Sequence, residues 1–177
     1  MPADERPDQG AWLSGDGTYR YTLFRRWGQL FAEDAKPLVW VMLNPSTANA
    51  DLDDQTVRKV RGFTVRAGYS WLVIVNLFAY RTGSPARLLD VGDRLRFDIV
   101  GPMNDHAIRD AVGQAGRVVV AWGGDARYRW PARVEYVTKH LLPAHLWCVG
   151  TTGRGDPRHP CYAPYSDLLP WPLALSS

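Results

Sequence analysis

Leu38-Val39-Trp40-Val41-Met42-Leu43 runs directly into Asn44-Pro45-Ser46-Thr47-Ala48-Asn49-Ala50-Asp51. An apolar run without polar alternation predicts a strand covered on both faces, as in a parallel sheet. The polar group after it stands at the carboxyl end of that strand, where open parallel sheets bind their ligands. This stretch therefore sets both the fold class and the first place to look for a site.

Outward from it, apolar strands and amphipathic helices alternate. Asp53 and Asp54 precede a helical pattern carrying Val57, Val60, Phe63 and Ala67, closed by Gly68. A second strand follows at Trp71-Leu72-Val73-Ile74-Val75-Asn76, and Ser84-Pro85 opens a short helix through Leu88-Leu89. Asn104 suits the cap of a helix with Ala107, Ile108, Ala111 and Ala115. The third strand is Val118-Val119-Val120-Ala121-Trp122, stopped by Gly123-Gly124; a helix over about 131–142 leads to the fourth, Leu146-Trp147-Cys148-Val149. Fourfold alternation predicts a three-layer α/β fold with a parallel core. Tyr19 to Trp27 alternates imperfectly after a Ser-Gly-Asp-Gly turn and predicts an added N-terminal strand or hairpin. The tail from Gly150 to Ser177, rich in Pro and Gly, is expected to wrap the surface without regular structure. A single domain over 11–177, after a disordered tail over 1–10, fits the length of 177 residues.

Composition narrows the function classes. No apolar run approaches the roughly 20 residues that span a bilayer, and the polar start lacks a signal-peptide core. Two cysteines without ligand spacing predict reduced thiols, a cytoplasmic setting and no metal. The net charge is +3, and of 21 basic residues only Lys36, Lys59 and Lys139 are not Arg. Arginine forks suit phosphate, although a G- and C-rich genome gives the same bias. There is no GxSxG elbow, P-loop or Rossmann glycine spacing, and no cofactor is expected.

A parallel sheet gathers its strand ends on one edge. The candidates there are Asn44, Pro45, Ser46 and Thr47 from the first strand; Asn76, Phe78 and Arg81 from the second; Trp122 and Gly123 from the third; and Arg158 and His159 after the fourth. The set combines amide donors and acceptors, flat rings, an imidazole and guanidinium groups. It fits a heteroaromatic base stacked on Phe or Trp, with its edge read by Asn. Each residue also has a plainer use. Asn-Pro starts turns, His before Pro suits a surface loop, Trp122 and Phe78 suit a core, and the two aspartates suit a helix start. Arg58, Arg61 and Arg66, or Arg154 and Arg158, are the candidates for phosphate contact, against a solvated helix face for the first three.

Tyr19-Arg20-Tyr21, Met42 to Ala48, Asn76-Leu77-Phe78-Ala79, Asn104-Asp105, Trp122-Gly123 and Pro157-Arg158-His159-Pro160-Cys161-Tyr162 together resemble a bacterial and phage family of unknown function. Cys161 stands where that family has Leu. More distantly, Leu43-Asn44-Pro45-Ser46 and His159-Pro160 are similar to the two motifs of the uracil-DNA glycosylase superfamily. That resemblance implies a four-stranded parallel sheet in the order 2-1-3-4. It implies that Asn44 positions water and that His159 stabilises charge on a departing base. Met42, Ser46 and Cys161-Tyr162 depart from the superfamily pattern. The expected function is recognition of a nucleobase, in a nucleic acid or a nucleotide, with hydrolysis of an N-glycosidic bond. The alternatives are a binding module without chemistry and a protein–protein adaptor that uses the Trp- and Pro-rich tail.

Overall fold

The computed structural model describes residues 8–27, 36–46 and 53–172. Seven strands form one mixed sheet in the order β1-β2-β4-β3-β5-β6-β7. They are β1 (Gln9–Leu13), β2 (Arg20–Arg26), β3 (Leu38–Met42), β4 (Trp71–Asn76), β5 (Arg117–Val120), β6 (Leu146–Cys148) and β7 (Leu169–Trp171). β3 runs parallel to both β4 and β5, and β5 runs parallel to β6. The hairpin of β1 and β2 joins β4 antiparallel, and β7 joins β6 antiparallel on the far side.

Pleat alternation divides the buried strand residues between two cores. Val39, Val41, Val73, Val75, Val118 and Val120 face one side. There they meet α2 (Pro85–Leu89), α3 (Asn104–Gln114) and α5 (Pro131–His140) through Leu88, Ile108, Val134 and Val137. Leu38, Trp40, Met42, Leu72, Ile74 and Val119 face the other side and meet α1 (Gln55–Arg66) through Val57, Val60 and Phe63. A short α4 (Ala126–Arg129) follows β5. All five residues of β3 are buried because both faces are covered. No helix among the described residues is long and apolar enough to cross a membrane.

α1 starts where Asp54, in an extended conformation, accepts a hydrogen bond from the Val57 amide at 2.8 Å. Asp53 does not serve the cap. It pairs with the buried Arg25 of β2 at 2.8 Å, tying the N-terminal hairpin to the start of α1. Asn104 departs from the expected cap as well: Met103 holds the N-cap position. The Asn104 side chain is fully buried and donates instead to the carbonyls of Asn76 (3.0 Å) and Leu77 (3.1 Å). Arg133 donates to the same Leu77 carbonyl and to Asp105. The Asn-Asp pair thus pins the carboxyl end of β4 from the α3–α5 side. Replacing Asn104 with Ala is expected to lower unfolding free energy by about 1–3 kcal/mol, since a buried donor to two carbonyls is lost. Urea unfolding measures this, and an unchanged midpoint would contradict the role.

The chain differs from expectation at both ends. The tail expected over 1–10 already contains strand at Gln9 and Gly10, which pair with Arg25 and Phe24; residues 1–7 lie outside the described part. The C-terminal stretch expected to lack regular structure contributes β7 and a 3-10 turn at Pro160–Tyr162. Pro170 concealed this strand, but proline is compatible with a sheet edge, where no ladder donor is needed. Trp171 is buried there and its indole donates to the Gly155 carbonyl at 3.1 Å.

Candidate functional site

A cavity of about 780 Å³ opens at the carboxyl edge of the parallel strands, on the α1 side of the sheet. That volume falls in the range of small-molecule sites. Met42, Ile74 and Asn76 line it from the pleat positions that face α1; Thr56 and Val57 line it from the first turns of that helix. β5 contributes Trp122 and the Gly123-Gly124 turn; the loop after β6 contributes Thr152, Gly153, Arg158 and His159.

Each strand end is turned and held by the backbone. After β3, Asn44 donates through its amide nitrogen to the carbonyls of Thr82 (2.8 Å) and Pro45 (3.1 Å), while the Thr82 amide donates to Pro45. These bonds clamp the loops after β3 and β4 together. They leave the Asn44 carbonyl oxygen with no hydrogen-bond partner among the described residues. After β5, Gly123 takes a φ of +89°, open to glycine at little cost, and its amide donates to the Pro157 carbonyl at 3.1 Å. After β6, Gly150 turns the chain at φ +122°, and its carbonyl accepts from the Arg158 amide at 2.9 Å. The late loop is thereby docked beside the end of β5.

His159 caps the 3-10 turn: its Nδ1 accepts from the Cys161 amide at 3.3 Å. In a neutral imidazole that bond assigns the hydrogen to Nε2, which makes the ring a donor. Burial pushes the His159 pKa below its usual value, with the Asp54 carboxylate opposing, so the neutral ring prevails at pH 7. Asp54 has three roles. Besides capping α1 and facing His159, it accepts a hydrogen bond from Ser46. The Arg20 guanidinium, 3% exposed, also lines the cavity. Burial lowers its pKa to about 10, opposed by Asp54 and reinforced by Arg81 and Arg25, so it remains a cation at pH 7.

Two residues that line this cavity carry a buried donor without a hydrogen-bond partner among the described residues: Asn76 Nδ2 and Trp122 Nε1. A buried N–H without a partner is costly. Two of them beside Arg20 and the Nε2–H of His159 make a cavity that wants acceptor atoms. Among the described residues no group of His, Cys, Asp or Glu could hold a metal ion.

The structure brings Asn44, Ser46, Asn76, Trp122, Gly123, Arg158 and His159 to one cavity. Pro45 lies in the Asn44 clamp and contributes its carbonyl there, outside the lining. Phe78 is not a stacking face for this cavity: it is 2% exposed and packs on Trp130 in the opposite core, ring centroids 5.1 Å apart. Leu77 and Phe78 both join that core because period-two alternation stops at Asn76. Arg81 lines a neighbouring cavity and donates to the Gly17 carbonyl at 3.1 Å. Thr47 lies outside the described residues. Of the α1 arginines, Arg58 donates to the Asp53 carbonyl, Arg61 lies over Trp27 and Arg66 faces Asp167.

Sequence reasoning missed Arg20, Asp54 and Tyr162 as site residues. Arg20 carries a charge inside an aromatic strand, which was a usable signal. Asp54 was hidden by its competence as a cap. Tyr162, 82% exposed at the cavity rim with its ring 5.9 Å from that of His159, offers the flat face that Phe78 does not.

Fold and site together define an α/β protein with a donor-rich, cation-bearing pocket at its strand ends. The chain belongs to the family described as Protein of unknown function (DUF1643), which it matches over residues 20–161. No curated protein and no solved structure matches it.

Proposed function

We propose that the cavity recognises a nucleobase, carried in a nucleic acid or a nucleotide, and that Asn44 and His159 serve hydrolysis of its N-glycosidic bond. The observation that carries this is the meeting of these two residues, far apart in sequence, in one cavity with unpartnered Asn76 and Trp122 donors. Base carbonyl and ring-nitrogen acceptors satisfy such donors, and Tyr162 supplies a stacking face at the rim. The clamped Asn44 amide presents a carbonyl oxygen that can hold a water. An amide is too weak a base to ionise it, so turnover is slow. As the bond breaks, its electron pair leaves with the base, and His159 Nε2–H donates to the negative charge that develops.

A sheet of the uracil-DNA glycosylase kind, in the order 2-1-3-4 over the four parallel strands, is part of this reading. It is supported by the parallel pairing of β3 with β4 and β5 and of β5 with β6. The reduced thiols of Cys148 and Cys161 support a cytoplasmic setting. Incubation of the protein with uracil-, mismatch- and modified-base oligonucleotides, and with free nucleosides, tests the chemistry. Base release from at least one substrate is expected, lowered at least tenfold in Asn44→Ala. Release from none of them above the level of that variant would remove the hydrolase. One observation favours recognition without cleavage: no carboxylate stands at position 44, and the amide there is already spent on Thr82 and Pro45. Saturable binding without product would select that second reading.

A further inference from the structure

A second cavity, of about 550 Å³, abuts the first, and Ser46 and Thr82 line both. Its chemistry is different. Arg81 and Arg87 enter it, no carboxylate lines it, and neither guanidinium has an ion-pair partner among the described residues. Arg81 is held by the Gly17 carbonyl while its Nε is buried without a hydrogen-bond partner. Tyr80, Val91, Leu95 and Phe97 form an apolar and aromatic part of its wall. Phe97 is 44% exposed and Leu95 72%. Phe97 is held between two rings, stacked on Tyr19 at 6.2 Å and edge-on to Tyr80 at 5.7 Å. The segment that carries this wall includes a π-helical turn at Asp90–Arg94 and a left-handed Arg96 (φ 49°). Such a turn is frequent at functional sites, and such a φ is uncommon for a bulky residue.

Paired guanidinium groups without carboxylates suit a phosphodiester, and an exposed, braced ring suits a base. Ser46 and Thr82 form a shared boundary, which sets the two cavities side by side. We propose that the second cavity holds the phosphate and base of the neighbouring nucleotide, so that the ligand is a single-stranded nucleic acid segment rather than a free nucleoside. This rests on reading the first cavity as a base site. A lone nucleotide would use the arginines but not the ring wall.

Fluorescence anisotropy with a labelled, mixed-sequence single strand of about ten nucleotides tests it, alongside titration with nucleoside monophosphates. The strand is expected to bind at least tenfold more tightly than any monophosphate. Arg87→Glu should weaken strand binding about tenfold and reduce the salt slope by about 0.7 for one phosphate lost. Phe97→Ala should weaken it at least about fivefold by loss of stacking. Arg87 and Phe97 are exposed, and Arg87→Gln serves as a milder control for folding. Equal strand affinity and salt slope in wild type and Arg87→Glu would overturn the proposal and leave the base site standing. Loss in Arg87→Glu with no loss in Asn76→Ala would do the reverse. Failure of the strand to bind at all, or binding no tighter than a monophosphate, would also overturn it.

Discussion

His159→Ala is expected to lower base release by about 10²- to 10³-fold, the effect of removing one preorganised donor from a developing anion. The loop that carries His159 fixes both its position and its tautomer. Gly123, Pro157 and Gly150 fix the backbone beside β5, and the Cys161 amide fixes the ring by occupying Nδ1. Only Nε2–H remains to act. His159→Gln, which keeps a donor, should retain more activity than Ala. If both variants released base as fast as wild type, His159 would have no part in the chemistry.

The same geometry predicts a pH dependence of stability. The folded His159 pKa lies below the unfolded value of about 6.5. Between the two, the unfolded chain binds more protons, so stability rises with pH. The contribution is therefore present above pH ~6.5 and is lost as pH falls through the folded value. Thermal unfolding of wild type should show this acid-side loss, and His159→Gln should show less of it. Identical slopes in the two proteins would contradict the assignment.

Trp40→Ala is expected to lower unfolding free energy by about 3–5 kcal/mol. Trp40 is wholly buried in the central strand. Its ring lies 6.1 Å from Phe63, and its Nε1 donates to Thr64 Oγ1 at 3.0 Å. Thr64 in turn donates to the Val60 carbonyl. The substitution removes both the apolar volume that seats α1 on the sheet and a buried donor. Because α1 carries Thr56 and Val57 to the cavity, ligand binding should weaken together with stability. Trp40→Phe should recover most of the packing but not the hydrogen bond, and should fall between. A loss under about 1 kcal/mol for Trp40→Ala, by urea unfolding, would mean that α1 docks by other contacts.

Much of this architecture could be read directly from the residues. The apolar runs at 38–43 and 71–76 became buried strands, and Asp54 and Ser84 became helix caps where their residue types suggested. Local signals of that kind act over one turn or one pleat. What could not be read depends on partners distant in sequence. Asn104 has the composition of a cap, but the carbonyls of Asn76 and Leu77 compete for its side chain. Phe78 and Trp122 look alike as aromatics just past strand ends. Both pack in the α3–α5 core, and only Trp122 also borders the cavity. β7 was hidden by its proline, which a sheet edge accommodates. Arg20 stands between Tyr19 and Tyr21, and its role as a buried cation shows only once Asp54 is placed beside it.

Nitrogen-15 NMR of side-chain amides and indoles during titration with nucleobases, nucleotides and short single strands tests the central claim most directly. The account predicts saturable shifts of Trp122 Nε1–H and Asn76 Nδ2–H₂ with at least one of them. The Trp40 Nε1–H, already bonded to Thr64, should stay in place. Trp122 and Asn76 signals that do not move with any base-bearing ligand would contradict it.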